Sequence, residues 1–200
     1  DQLGRAVDIS DDFAIVGAPY NDTGAKTDRG AAFFIAHEPG SNDSWAGGTQ
    51  LVASDGAAGD NFGQSVAVSG SIAVIGAPGD DTGAITNHGS VYVTDLFADP
   101  SNLTKITASD AAASDQFGCS CAIDENTMVI GALGRTSNQG IAYVYIRNAG
   151  VWTFKAKLTA SDAAAGDQFG YSVSVKGDTI VVGAPTKGAG AAYVFARNAD

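Results

Sequence analysis

Three pairs of aspartates carry the most regular chemistry in the chain: Asp55 with Asp60, Asp110 with Asp115, and Asp162 with Asp167. Each pair opens on the same Ala-Ser dipeptide, and each second Asp stands two residues before a Phe-Gly pair, as Asp1 stands before Leu3-Gly4. Carboxylates beside serines and carbonyl oxygens support two chemistries. They can hold a hard cation such as calcium, which takes roughly six to eight oxygens. They can also accept backbone N–H groups and so close a tight turn, which explains the recurrence without any ligand. All six aspartates are therefore calcium candidates, with turn-capping the more economical reading.

Other reactive side chains are sparse. His37 and His88 have no Cys or His at ligand spacing and are expected to be exposed loop residues. The acidic stretches Asn21-Asp22, Asp28 and Asp80-Asp81 read as solvated loops. Cys119 and Cys121 fall on one side of any strand that holds them, where disulfide geometry is poor, and Cys121 reads as a small buried hydrophobe. There is no G-x-S-x-G, H-E-x-x-H or P-loop motif, and Gly188-Ala189-Gly190 precedes a strand pattern where a dinucleotide turn needs a helix. No enzyme is expected. Asn-x-Ser/Thr sequons at Asn21, Asn42 and Asn102 lie in predicted loops, which makes them glycosylation candidates in a secreted chain.

Composition narrows the partners. With 11 basic and 22 acidic side chains in 200 residues the net charge is −11. Nucleic acid is excluded as a partner, since that requires clustered Lys and Arg. No window approaches the roughly 18 consecutive apolar residues of a membrane-spanning helix. The chain is 44% apolar, enough for a core, and its 26 glycines recur at fixed places, a sign of many tight turns.

The elements that must position these residues come in four copies. Leu3–Pro19 (LGRAVDISDDFAIVGAP), Phe62–Pro78 (FGQSVAVSGSIAVIGAP), Phe117–Leu133 (FGCSCAIDENTMVIGAL) and Phe169–Pro185 (FGYSVSVKGDTIVVGAP) align without a gap. In each copy a period-two strand (Val7 and Ile9, Val66 and Val68, Cys121 and Ile123, Val173 and Val175) runs into a short turn. A second strand follows, apolar at successive positions as expected for burial on both faces: Ala14–Val16, Ala73–Ile75, Met128–Ile130 and Ile180–Val182. A third strand carries an aromatic three residues past a glycine, at Phe33, Tyr92, Tyr143 and Tyr193. A short fourth strand is predicted at Gln50–Val52, Lys105–Thr107 and Lys157–Thr159, leading into the Asp turns, with Trp45 and Trp152 as packing residues ahead of it. The predicted core is Val66, Val68, Val74, Ile75, Tyr92, Val129, Ile130, Tyr143, Val173, Val181, Val182 and Tyr193.

Four-stranded antiparallel units of roughly fifty residues, without helical periodicity, are the pattern of β-propeller blades, placed near 1–59, 60–114, 115–166 and 167–200. The loop between the second and third strands shortens along the chain, so variable loops sit on a repeated scaffold, as on many binding surfaces.

Phe62-Gly63 with Gly76-Ala77-Pro78, Phe169-Gly170 with Gly183-Ala184-Pro185, and the degenerate pairs Leu3-Gly4/Gly17-Ala18-Pro19 and Phe117-Gly118/Gly131-Ala132-Leu133 resemble FG-GAP repeats. Those are the blades of the seven-bladed propeller in integrin alpha chains. The resemblance implies an extracellular, secreted or cell-surface adhesion module that binds protein or glycan ligands through its loops. The alternatives are a building block of an extracellular fibre or coat, and a sugar-binding propeller. Integrin blades that bind calcium carry a DxDxDGxxD-type loop between their first two strands. The corresponding places here, Ser10-Asp11-Asp12, Ser69-Gly70-Ser71, Asp124-Glu125-Asn126 and Lys176-Gly177-Asp178, are too short to supply its ligands. The fourth copy breaks off after its third strand, so the expectation is an open edge, completed by a longer array or by strand addition from a neighbouring molecule.

Overall fold

The computed structural model describes residues 1–22, 25–37 and 44–197. Among the described residues fifteen strands form four separate antiparallel sheets, each the blade of a β-propeller. Blade 1 holds β1 (Ala6–Ile9), β2 (Phe13–Ala18), β3 (Ala31–His37) and β4 (Trp45–Leu51). Blade 2 holds β5 (Ser65–Ser69), β6 (Ile72–Ala77), β7 (Ser90–Asp95) and β8 (Asp99–Ile106). Blade 3 holds β9 (Phe117–Asp124), β10 (Thr127–Ala132), β11 (Ile141–Asn148) and β12 (Val151–Leu158). Blade 4 has three strands, β13 (Ser172–Lys176), β14 (Thr179–Ala184) and β15 (Ala191–Ala196), and among the described residues β15 has no outer partner. The one helically bonded stretch among the described residues, Arg135–Asn138, has left-handed φ at Thr136 and Ser137 and is a tight turn.

Innermost strands pack in series, β1 on β5, β5 on β9 and β9 on β13, so the blades fan around an axis as an arc. Three apolar clusters fill the joints between successive blades. Phe62, Val66, Ile75 and Tyr92 of blade 2 pack on Phe13, Ile15 and Ala32 of blade 1. Phe117, Met128, Ile130 and Tyr143 of blade 3 pack on Val74, Val91 and Val93 of blade 2. Phe169, Val175 and Val182 of blade 4 pack on Val129 and Ala142 of blade 3.

Apolar runs at successive positions are buried on both faces only where a blade has two neighbours. All of β6 and β10 are buried, whereas β2 and β14 alternate. The expected core thus holds at Val66, Val68, Val74, Ile75, Tyr92, Val129, Ile130, Tyr143 and Val182. It does not hold at Val181, which is exposed, and Val173 and Tyr193 are half-buried, because blade 4 is covered on one side only. Phe33 is half-buried for the same reason on blade 1.

Outer strands are longer than the predicted triplets and take in Trp45 and Trp152. Register shifts at Phe34/Ile35 and Val144/Tyr145 insert one extra residue in the outer strand, and the one at Val93/Asp95 inserts three, so the alternation reverses in mid-strand and hides the upstream half of each strand from a period-two reading. Trp152 packs against the joint between blades 2 and 3, but Trp45 is exposed and lies 5.3 Å from the His37 ring.

Candidate functional site

The three Asp turns follow one plan. The second Asp of each pair is buried, and its Oδ2 accepts the N–H of the residue three before it: Ala57 to Asp60 at 2.6 Å, Ala112 to Asp115 at 2.8 Å, Ala164 to Asp167 at 2.8 Å. The first Asp accepts the hydroxyl of the third-strand tyrosine: Tyr92 to Asp55 at 2.8 Å, Tyr143 to Asp110 at 3.2 Å, Tyr193 to Asp162 at 2.7 Å. Edge-on contacts of the same rings with Phe62 and Phe117, and a tilted one with Phe169, fix them beneath the turns.

Each pair also faces a cationic side chain. Lys187 reaches Asp167 at 2.9 Å and Asp162 at 3.4 Å. Arg135 clamps Asp110 and Asp115, and Lys157 adds a second cation on Asp110 at 2.6 Å. In blade 2 the position of Arg135 and Lys187 is taken by Asp80, and Lys105 alone bridges Asp55 at 2.8 Å and Asp80 at 2.7 Å. Burial by itself raises Asp110, but the Lys157 hydrogen bond and the Arg135 charge prevail and hold its carboxyl below the usual range. Asp60 goes the other way: burial, opposed by the Ala57 N–H and reinforced by the Asp80 charge, raises it. Ammonium and guanidinium groups on both carboxylates of the Asp110/Asp115 and Asp162/Asp167 turns repel a second cation, so those two turns are a poor fit for calcium, whereas at Asp55/Asp60 Lys105 pairs with Asp55 and Asp80 and not with Asp60. The first-to-second-strand turns do not fit it either. Asp124 is spent on Lys176 and the Gly177 N–H, and Ser10 on the Gly70 carbonyl. Among the described residues no group of three or more His, Cys, Asp or Glu is placed to hold a metal ion.

Several side chains sit elsewhere than expected. His88 is buried, not exposed: its Nδ1 lies 2.6 Å from the Gly89 carbonyl and its Nε2 2.6 Å from Thr82 Oγ1. His37 is half-buried beside Trp45. Asp80 is buried against Lys105, not solvated, while Asp81 and Asp22 accept the Asn87 and Asp28 N–H groups within their loops. Cys119 and Cys121 are free and half-buried, and burial pushes their thiols up to about 11 and about 12. Asn21 lies in a loop; Asn102 lies exposed within β8, not in a loop; Asn42 is outside the described residues.

A second place was not singled out by sequence. The residue after each repeat's Phe-Gly or Leu-Gly is Arg5, Gln64, Cys119 or Tyr171, and all four converge where the inner strands begin. They line a depression of about 390 Å³ together with Tyr20, Asn61 and Gln116. Asn61 and Gln116 are set there by left-handed φ values of 58° and 55°, which turn the chain into the Phe-Gly pair. A guanidinium, three carboxamides and two phenols supply hydrogen-bond donors and acceptors with aromatic faces, without a nucleophile–base pair. The available sequence signal was the residue after each Phe-Gly or Leu-Gly, which differs in every copy.

No curated protein matches the sequence. The FG-GAP repeat family model matches residues 1–35, 45–94, 101–145 and 152–195. The last three matched stretches each begin in the outer strand of one blade and end in the third strand of the next. With most of its length matched, and with a Phe-Gly pair meeting the Gly-Ala-Pro or Gly-Ala-Leu of the preceding blade at each of the three joints, the chain belongs to the FG-GAP repeat family.

Proposed function

We propose that this chain is a non-enzymatic, extracellular recognition and adhesion module of the integrin alpha-like type, with ligand contacts concentrated in the depression of Arg5, Gln64, Cys119 and Tyr171. One observation carries the reading: four equivalent positions of a repeated framework hold four different side chains and meet in one concavity. A repeated scaffold that brings differing side chains together in one place is suited to binding, and its packed surroundings limit the ordering cost. The ligand is a protein or glycan surface offering hydrogen-bonding groups beside apolar patches.

An array of immobilised matrix proteins and glycans tests this. Saturable binding is expected, weakened at least tenfold by Tyr171→Ala, a loss of about 1.4 kcal/mol. Tyr171 is exposed, so its removal should leave the melting temperature unchanged. Blank arrays, or turnover of a hydrolysable substrate by the pure protein, overturn the proposal. The building-block reading draws on the repeated plan itself, successive sheets joined by the same packing of Phe-Gly against a glycine of the preceding blade. The sugar-binding reading draws on Tyr20 and Tyr171 beside the carboxamides, and the glycan half of the array addresses it.

A further inference from the structure

Residues of the outer strands β8 and β12, with those of the strands inside them, line a groove of about 550 Å³ between blades 2 and 3. That volume falls in the roughly 300–1,000 Å³ range of ligand sites. Both walls belong to blades whose four strands are described, so the groove lies at a joint completed within the chain. Ile72 and Val93, both buried, form its apolar floor.

On the blade 2 wall Asp95 and Asp99 stand opposite each other in register, in line with Ile72. The three extra residues of β8 lie in this wall, and the Thr94 hydroxyl ties it down by donating to the Asp99 and Pro100 carbonyls at 3.0 and 3.2 Å. Each carboxylate also accepts a hairpin N–H, Asp95 from Phe97 at 3.1 Å and Asp99 from Ser101 at 3.1 Å. Both are thereby fixed in place, with lone pairs left for a ligand.

The blade 3 wall carries Arg147 opposite Trp152, beside the exposed Val151. Arg197 holds the place of Arg147 in blade 4, and its Nε donates to Asp178 at 2.8 Å. In blade 3 that acidic position is Asn126. Among the described residues the Arg147 guanidinium makes no hydrogen bond or ion pair, and the half-buried Trp152 indole N–H has no acceptor. Trp45, at the matching place in blade 1, has the His37 ring at 5.3 Å; Trp152 has Arg147 there instead.

One wall thus offers donors alone, guanidinium and indole N–H groups, and the other offers fixed negative charge. A ligand that suits both presents acceptors without donors, an apolar body for the indole, and a cation. Proline-rich peptide supplies the first two, because proline has no N–H and the polyproline II helix leaves its carbonyls solvated. A lysine or arginine within it supplies the third. A peptide that adds to a sheet edge is not served here, since the walls are sheet faces, and a neutral saccharide would leave the two carboxylates without counter-charge.

We propose that the groove between blades 2 and 3 binds a proline-rich peptide segment carrying a basic residue, with Trp152 against the proline rings, Arg147 donating to peptide carbonyls, and Asp95 and Asp99 holding the cation. The groove shares no residue with the depression of Arg5, Gln64, Cys119 and Tyr171, so either proposal can fail alone.

Trp45→Phe leaves Trp152 as the only tryptophan, and its emission then reads the groove directly. Titrated with a capped polyproline peptide of about ten residues bearing one central arginine, that emission should shift saturably. Exchanging the arginine for glutamate, or the prolines for flexible glycine and serine, should raise the dissociation constant at least ~10-fold. Arg147→Met and Asp99→Asn should each do the same, whereas Arg197→Met, the matching change one blade on, should not. Circular dichroism checks that each variant keeps its β spectrum; Arg147→Gln and Asp99→Ser substitute for any that does not. No saturable shift, equal affinity for the glutamate or glycine-serine peptide, binding unchanged by Arg147→Met or Asp99→Asn, an equal loss in Arg197→Met, or a response to cello- and manno-oligosaccharides in place of the peptide overturns the proposal.

Discussion

Tyrosine stands at the third-strand aromatic position in blades 2, 3 and 4, where an Asp turn lies above it, and its hydroxyl is spent on Asp55, Asp110 or Asp162. Tyr143→Phe should therefore cost about 0.5–1.5 kcal/mol, read as a drop in denaturant midpoint at unchanged slope. The same carboxylates set the response to acid. Asp55, Asp110, Asp162 and Asp167 all have folded-state values below their unfolded ones. A lowered carboxylate stabilises the fold above its unfolded value near 3.9, and that stability is lost as pH falls through the folded value. Asp60, raised by burial, works in the opposite sense and offsets part of the loss. The melting temperature should accordingly fall below about pH 4. Asp110→Asn should lower it at neutral pH, by leaving Arg135 and Lys157 short of counter-charge, and flatten the acid limb.

At the scale of elements, the joint between blades is made by backbone as much as by side chains. Phe62, Phe117 and Phe169 each donate an N–H to the preceding blade's second-to-third-strand loop, at Arg29, His88 and Gln139, and the Phe-Gly carbonyls then press on Gly17, Gly76 and Gly131. Gly131→Ala should cost about 2 kcal/mol or more in chemical denaturation, because its Cβ meets main-chain oxygen that cannot rotate away. Gly183→Ala meets the Ser172 hydroxyl, which can, and should cost the folded single chain less than about 1 kcal/mol. Equal losses at the two positions would show that the Gly131 approach is not what requires glycine. Because a family repeat begins in one blade's outer strand and ends in the next blade's third, every joint is spanned by covalent chain as well as by packing.

For the whole molecule, the distribution of fixed cations decides how it responds to metal. Lys105, Arg135, Lys157 and Lys187 pair with five of the six regular carboxylates, all but Asp60, so thermal melts with and without chelator should coincide within about 2 °C, less than the roughly 2–4 °C that 1 kcal/mol moves a domain of this size. A collapse on chelation would show that carboxylates outside these ion pairs carry an ion.

Local pattern is what the amino-acid sequence determined alone: four copies, three of each blade's strands, the turns and the aspartates that close them. Those features depend on period-two alternation and on side chains bonding their own neighbours, and both are legible within a few residues. Tertiary structure decided the rest. The cations on the Asp turns come from 20 to 50 positions away, and one of their places is held in blade 2 by Asp80 instead, so no spacing rule could have paired them. Upstream halves of the outer strands were hidden by bulges that reverse the alternation in mid-strand. Burial of His88 and exposure of Val181 depend on what the neighbouring loop or blade covers, a property of the packed arrangement that composition and periodicity do not carry.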